Sequence, residues 1–261
     1  MAQRPPRGAN RERRMSFADH LREFRNRLVI SAIAIMLFSI GGWFVAPYVW
    51  DALRAPITTI GAAHNATINY SDVSSAFDLT LQIAAAVGIV ASSPIWLYQV
   101  LAFFVPGLNR REKKYTLGFF FSAVPLFLAG CATGWFVIPH VVVLLTSFVP
   151  KEDASYIDAR IYLSFVLKLI LAVGIGFVLP VFLVLLDFIG ILTARSILKA
   201  WRWAVVVIVL FCGIVTPSTD VLSMFLLAVP LVILYFLAIG VSWLHDRGVA
   251  RREAALAAEL A

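Results

Sequence analysis

Six long runs with almost no charged residues follow one another along the chain, separated by short polar or basic segments. A bilayer hydrocarbon core about 30 Å thick needs about 20 apolar residues in a helix. The pattern therefore predicts an all-α integral membrane protein with six transmembrane helices. In chain order the runs cover residues 28–50, 79–109, 115–140, 161–186, 203–215 and 221–245.

Three of these runs predict departures from a straight transmembrane helix of ordinary length. The third continues apolar to residue 150, which indicates a helical extension or tilt, and Pro94 and Pro106 predict a kink or an end in the second. The fifth reaches only about 20 Å at 1.5 Å per residue, so we expect the bilayer to thin beside it. We expect residues 51–76 to form an outer loop with small capping helices.

The first residues differ from the rest in composition. Residues 1–15 are rich in Arg, Pro and Gly and predict a disordered basic terminus. Ser16 as N-cap and Asp19 three residues later indicate a helix start. Leu21 and Phe24 then continue the apolar face of an interfacial helix that leads into the first span. The predicted membrane domain covers residues 16–245, followed by a tail over 246–261.

Composition and charge agree with this architecture. The chain is 61% hydrophobic and 14% charged, with a mean hydropathy of +0.88, so its apolar excess must face lipid. Eighteen Lys and Arg lie before the first span, after the even spans and in the tail, against four elsewhere. By the positive-inside rule both termini are expected in the cytoplasm. The net charge of +7 comes with no nucleic-acid motif, so nucleic acid is not an expected partner.

Catalytic and metal-binding patterns are absent from the sequence. There is no phosphate-binding loop and no H-E-x-x-H, and the four His lie in unrelated segments. Cys131 and Cys212 lie in apolar runs without C-x-x-C spacing. We therefore expect neither an enzyme nor a bound metal or cofactor. Lys168 is the main charge within a span, and snorkelling to the outer interface is favoured over a proton relay.

The segment 20–28, HLREFRNRL, resembles the opening H-L-x-E-L-R-x-R-L of the TatC family, the core subunit of the twin-arginine protein translocase. Further similarities follow in the family's order on the six-span frame, and together they cover about residues 16–245. They are Ala55-Pro56, SPIWLYQ at 93–99, Ala102-Phe103, PGL at 106–108, Glu112, Pro139, Pro180, Thr216-Pro217 and Asp220.

The resemblance implies a curved scaffold of six helices in the inner (cytoplasmic) membrane, working without enzymatic chemistry in the proton-driven export of folded proteins. The implied ligands are twin-arginine signal peptides, bound on the cytoplasmic face at Glu23 and Glu112, with Arg25 and Phe103 in the same patch. Single-span TatA- or TatB-type subunits would dock laterally, and the receptor would be a homo-oligomer in contact with membrane lipids. The matching prolines, which are expected to be structural, are Pro56, Pro139, Pro180 and Pro217.

The chemistry of the two acids fits that role. Paired guanidinium groups favour carboxylates in fork geometry, and such charge-assisted hydrogen bonds are strong. The sequence leaves a simpler alternative open. Glu23 is one helical turn before Arg27, and Glu112 has Arg and Lys neighbours, so each acid has a possible local partner.

The sequence also departs from the family. Val178 replaces a glutamate two residues before the span proline, Met224 replaces a polar residue, and Phe236 replaces an acid. Partner subunits are implied to dock on polar groups there. The remaining candidates for docking are Thr216, Asp220 and Ser223, together with Met224. Whether the partner is TatA-type, TatB-type or both is left open by these changes.

Three other functions remain alternatives. A small-solute transporter would have two similar halves and broken helices meeting at mid-membrane, and no internal repeat is evident. An enzyme acting on lipid would show paired acids or His at one interface. A family member that has lost export activity and serves as a scaffold would fit the missing intramembrane acids.

Overall fold

The structure is a computed structural model, and it describes residues 17–64, 67–104, 112–146, 156–188, 190–215 and 221–259. The described part contains eight helices and two three-residue strands. In chain order they are α1 (Phe17–His64), β1 (Thr67–Asn69), α2 (Ser75–Ala91), α3 (Ser93–Phe104), α4 (Glu112–Thr146), β2 (Tyr156–Asp158), α5 (Ala159–Phe188), α6 (Ala194–Lys199), α7 (Trp201–Val215) and α8 (Val221–Glu259).

Six apolar helical segments account for the predicted spans. The helices α1, α4, α5 and α8 each contain a stretch long and apolar enough to cross a bilayer. The helices α2 and α3 form one broken span bent by 58°, and the 15-residue α7 is the short fifth segment. The predicted all-α membrane class is confirmed, with six apolar helical segments in the order of the predicted spans.

The bend between α2 and α3 has a local cause. Pro94 has no N–H, so the chain cannot continue the helical ladder through it. At the break, the carbonyl of Ile89 accepts a hydrogen bond of 2.9 Å from the indole Nε1 of Trp96. Ser92 lies at the junction and is fully buried. The kink expected at Pro94 is confirmed, whereas Pro106 lies outside the described residues.

The expected outer loop at 51–76 is wrong for its first half. Helix α1 continues through it to His64, with Pro56 inside the helical range. Leu53 and Ile57, one turn apart, are each only 1% exposed. Tyr162 on α5 also donates a hydrogen bond of 2.8 Å to the carbonyl of Leu53. Packing of this apolar face explains why the helix persists beyond the membrane span despite the proline.

Other boundaries differ in smaller ways. Helix α8 runs past the expected span end at residue 245 and continues to Glu259, so most of the predicted tail is helical. The strands β1 and β2 add a parallel pair to an otherwise helical fold, with Ile68 opposite Ile157. Helix α4 confirms the extension of the third span as far as Thr146. The basic terminus 1–15 and the hairpin 216–220 lie outside the described residues.

Glycines allow α4 and α5 to pack closely against each other in the core. A Cβ on Gly130 would lie 2.8 Å from the Cα of Gly174, and a Cβ on Gly134 would lie 2.9 Å from the Cα of Ile170. Gly130 and Gly134 are four residues apart, the small-xxx-small spacing that lets membrane helices approach closely. The two backbones pack directly against each other at these positions.

A polar clasp joins the start of α5 to the segment before α2. The guanidinium of Arg160 lies 2.6 Å from Asp78 and 3.6 Å from Asp72. Asp158 accepts backbone hydrogen bonds from Arg160 at 2.8 Å and Ile161 at 3.0 Å, and it also accepts one from the Ser71 hydroxyl. The bond from Ser71 is the largest of the causes that lower the pKa of Asp158. We call these residues, with β1 and β2, the β clasp.

The lowered pKa of Asp158 predicts an acid-sensitive β clasp. The ionised carboxylate stabilises the clasp above the usual aspartate pKa of about 3.9, and this contribution is lost as pH falls through the lower folded value. We expect amide hydrogen exchange in β1, corrected for the intrinsic rate, to rise only below about pH 4. Asp158→Asn should raise exchange already at pH 7, whereas Asp72→Asn should change it little. Equal protection in wild type and Asp158→Asn would contradict this role.

Candidate functional site

Several helix ends meet at one end of the bundle. Tyr98 near the end of α3 packs edge-on against Phe120 near the start of α4, with ring centroids 5.8 Å apart. Phe119 contacts Phe188 at the end of α5 at 5.1 Å. The start of α1 reaches α3 through a hydrogen bond from Arg27 to Gln99. The segments rich in Lys and Arg adjoin these ends, so we call this end the basic face.

Glu23 lies at the centre of a polar network on the basic face. Its Oε1 accepts hydrogen bonds from Arg27 at 3.0 Å (Nε) and 2.5 Å (Nη2). Arg27 also donates through Nη1 to Oε1 of Gln99 at 3.2 Å. The exposed fractions of the Glu23 and Arg27 side chains are 19% and 25%. The local pairing that the sequence left as an alternative for Glu23 is therefore present.

The second carboxylate oxygen of Glu23, Oε2, differs from Oε1 in its hydrogen bonding. Its Oε2 is buried and has no hydrogen-bond partner among the described residues. A buried carboxylate oxygen without a partner costs free energy, because it has lost water and gained nothing in return. Glu23 thus uses one oxygen for Arg27 and keeps one acceptor for a further donor. The pairing with Arg27 does not exhaust the site.

An aromatic group lies beside this acid. The ring of His20 stacks on Phe103 with centroids 4.6 Å apart, and Phe24 meets the same ring at 5.3 Å. Phe24 and Phe103 line a cavity of about 350 Å³ between α1 and α3, together with Arg27 and Gln99. A planar cation entering this cavity would meet aromatic faces as well as polar groups. Of the predicted site residues, Glu23 and Phe103 are therefore brought together.

Arg25 and Glu112, the other two residues predicted to bind the signal peptide, are not brought together with Glu23 and Phe103 in the described part of the structure. Arg25 is exposed on α1, two positions from Glu23, and residues at that spacing do not share a helix face. Glu112 is the first residue of α4, and its side chain lies outside the described part of the structure. An acid at a helix start is favoured by the helix dipole whatever its further role. The local pairing proposed for Glu112 therefore stays an alternative.

Of the predicted docking residues, Thr216 and Asp220 lie outside the described residues, as does the side chain of Ser223. The structural proline Pro217 also lies outside them. Met224 is half-buried and packs towards Gly213 of α7. Only part of its surface is therefore open to a partner.

The positions that depart from the family differ in burial. Val178 is only 3% exposed within the core, whereas Phe236 is 43% exposed on α8.

The predicted structural prolines lie within helices: Pro180 is buried within α5 and Pro139 is half-buried within α4. Lys168 is exposed on α5, as snorkelling requires.

One buried acid was missed by the sequence reasoning. Asp187 is 5% exposed, and Ser242 on α8 is fully buried. Ser242 and Asp246 lie close enough to Asp187 to interact with its carboxyl group. The apolar run that marks the fourth predicted span stops at residue 186, one residue before Asp187.

The fold and the site together define a helical membrane protein with an acidic site at one end of the bundle. The site consists of the Glu23 carboxylate and the adjoining cavity lined by Phe24 and Phe103. The TatC family model, "Sec-independent protein translocase protein (TatC)", matches residues 19–230. The TatC of Xylanimonas cellulosilytica is 40% identical over 250 residues, covering 95% of this chain and 91% of the relative. The TatC of Rothia mucilaginosa is 38% identical over 252 residues, covering 95% and 86%.

Solved structures agree with these relatives. A crystal structure of the twin-arginine translocase receptor TatC in the detergent DDM superimposes with a TM-score of 0.76 at 30% identity, covering 85% of this chain and 99% of that one. A second TatC crystal structure gives 0.75 at 32% identity, with 86% and 98% covered. The chain belongs to the TatC family of Sec-independent protein translocase proteins. This family is one of translocase subunits, which confirms the predicted class, a membrane transport component and not an enzyme.

Proposed function

We propose that this chain is the receptor and core subunit of a twin-arginine translocase in the inner (cytoplasmic) membrane, with both termini and the basic face in the cytoplasm. Family membership supports the translocase role. The distribution of Lys and Arg supports the orientation, with eighteen at the basic face and its adjoining termini against four elsewhere. The ligands are signal peptides that carry two consecutive arginines.

The observation that carries this proposal is the Glu23 Oε2, which has no hydrogen-bond partner among the described residues. An arginine of the signal peptide would donate to Oε2, while Arg27 keeps Oε1. A guanidinium has five donors in a planar fork, so it can reach Oε2 and a neighbouring acceptor at once. A lysine ammonium lacks this planar geometry and would lose part of the interaction. The requirement for arginine then follows from the shape of the acceptor.

The cavity beside Glu23 adds to this selectivity. Phe24 and Phe103 form apolar walls along which the guanidinium plane can stack. Gln99 holds Arg27 from the far side and fixes the orientation of the Glu23 carboxylate. Glu112 is the second proposed acid, at the start of the helix that follows the first cytoplasmic loop. Arg25 is proposed to contribute to the positive field around the site rather than to bind the ligand's arginines.

The proposed complex includes further subunits. Single-span TatA- or TatB-type partners would dock laterally near the last hairpin, at Thr216, Asp220, Ser223 and Met224. Several copies of this chain would assemble into the receptor complex, and the proton gradient would drive transport. Burial of Val178 supports docking that does not use an acid in the fourth span.

The rival functions have less support. The cavities of the described residues are lined mainly by apolar side chains, which suits neither a hydrophilic solute path nor a lipid-cleaving site. An export-inactive scaffold would have the same fold as an active receptor and would differ from it only in export activity. Complementation of a strain that lacks its own TatC distinguishes them: restored export of a folded twin-arginine cargo is the expected result, and its absence despite stable insertion would support the scaffold.

Crosslinking tests the proposed binding place directly. A photoreactive residue beside the arginine pair of a signal peptide should label the segments around Glu23 or Glu112 in membranes that contain the full chain. Changing both arginines to lysine should reduce this labelling about tenfold, because the fork contact is lost. The same probe placed near the cleavage site serves as the positional control. Equal labelling with arginines and lysines would count against the site.

A further inference from the structure

Three basic residues form a stripe where α6 leads into α7. Arg195, Lys199 and Arg202 are all exposed: Arg195 and Lys199 are one turn apart on α6, and Arg202 is the second residue of α7. Arg202 also lies 5.7 Å from the ring centroid of Trp201, an aromatic residue suited to a membrane interface. We call these three residues the basic stripe.

An apolar cavity opens directly beside the basic stripe. It has a volume of about 510 Å³ and lies between α5, α7 and α8, with Gly176, Val207 and Leu231 among its lining residues. This volume is within the range of ordinary small-molecule pockets. Its remaining wall, next to the stripe, is formed by Ser196, Ala200 and Trp203. Each of these follows one residue after a member of the basic stripe, so the stripe neighbours the residues that form this wall.

Contacts with α8 hold α6 in place. Tyr235 donates a buried hydrogen bond of 2.6 Å to the carbonyl of Ile197, which is itself 4% exposed. Asp246 accepts a hydrogen bond of 3.1 Å from the backbone N–H of Ala194. Thr193 caps the helix by accepting a bond from the N–H of Ser196. The basic stripe is therefore carried on a docked helix and not on a free loop.

Helix α7 is shorter than the hydrocarbon core is thick, which affects where lipid headgroups lie beside it. Its 15 residues reach about 22 Å, against a hydrocarbon core of about 30 Å. A bilayer can accommodate such a helix by thinning beside it, which brings headgroups deeper than elsewhere. A headgroup beside the start of α7 would then lie at the level of the basic stripe, with its acyl chains alongside the cavity.

We propose that this place is a binding site for an anionic phospholipid, with the phosphate on the basic stripe and an acyl chain in the cavity between α5, α7 and α8. Three cations and an apolar cavity match a lipid that carries net negative charge and a long hydrocarbon chain. A zwitterionic lipid fits the cavity equally well and carries the same phosphate, but the cationic group of its headgroup weakens the attraction to the three basic residues. The site is separate from the Glu23 cavity and does not rest on signal-peptide recognition.

Native mass spectrometry of the full chain, released from detergent with a limited number of added lipids, tests this site. The probes are phosphatidylglycerol and phosphatidylcholine with the same acyl chains. We expect at least tenfold tighter retention of phosphatidylglycerol, since each basic residue near an anionic headgroup is worth about fivefold in affinity. The triple variant Arg195→Gln/Lys199→Gln/Arg202→Gln should remove that preference.

Two further variants separate the charge from the cavity. Arg247→Gln/Arg251→Gln/Arg252→Gln removes the same number of charges from the end of α8, and we expect it to keep the preference. Val207→Trp changes an exposed residue that lines the cavity, and it should lower retention of the anionic lipid without altering charge. Equal retention of both lipids in the wild type, or equal losses in the two triple variants, would overturn the proposal. Full displacement of the lipid by millimolar inorganic phosphate would also overturn it, because it would identify a simple anion site.

Discussion

Export of a twin-arginine cargo is expected to fall by about ten- to a hundredfold when Glu23 is changed to glutamine. Glutamine keeps the size of the side chain but removes the charge that a ligand guanidinium would meet at Oε2. A hydrogen bond to a charged group contributes about 1.5–3 kcal/mol, which corresponds to that range. The measurement is the rate of export in a strain that depends on this chain, with membrane insertion checked for each variant.

Asp19→Asn is the matched control for this prediction. Asp19 is also an acid on α1, one turn before Glu23, and it forms an exposed ion pair with Arg22 at 3.9 Å. Exposed pairs of this kind contribute little, so removing the charge should change export less than twofold. If Asp19→Asn and Glu23→Gln slow export equally, the effect belongs to the general charge of α1 and not to a specific acceptor.

Replacing Gly130 and Gly134 by valine is expected to separate α4 from α5 and to destabilise the protein by about 3 kcal/mol or more. Overpacking of a tight core costs about 1–3 kcal/mol per site. Here the new Cβ atoms would meet the backbone of Gly174 and Ile170 at 2.8 and 2.9 Å, so no side-chain rotation can relieve the overlap. The midpoint of thermal unfolding in detergent should fall clearly relative to wild type.

Two observations make this second prediction specific. Cys131 lies at the same interface and is 7% exposed, so its alkylation should accelerate when the helices separate, measured with Cys212 changed to serine. Gly118→Val is the control, because a Cβ there has no neighbouring atom within 4 Å and Gly118 lies on the same helix. A double valine variant with unchanged unfolding and unchanged Cys131 reactivity would contradict the direct backbone packing of α4 on α5.

The helices were predictable because each apolar run is long and the lipid environment permits few alternatives to a helix. The kink at Pro94 and the short α7 also follow from local chemistry and length. The continuation of α1 to His64 did not follow, because it depends on the packing of Leu53 and Ile57 against distant helices. The pairing of β1 with β2 likewise depends on contacts between residues nearly 90 positions apart.

The candidate site was predictable only as a set of residues. The sequence brought forward Glu23 and Phe103 through resemblance, and it gave Arg27 as a possible partner through helical spacing. The cavity that Phe24 and Phe103 line depends on how α1 packs against α3, and so does the burial of Oε2, which has no partner in the described part of the chain. No local pattern encodes this packing. Asp187 was missed for a similar reason: burial at the end of a span is decided by neighbouring helices.

Binding of signal peptides to the full chain in lipid nanodiscs measures the central claim most directly. The design is a double-mutant cycle between the peptide, with two arginines or two lysines, and the receptor, as wild type or Glu23→Gln. We predict that the change to lysines weakens binding to the wild type at least tenfold and to Glu23→Gln less than twofold. Equal losses with both receptors would mean that the Glu23 carboxylate does not receive the arginine pair.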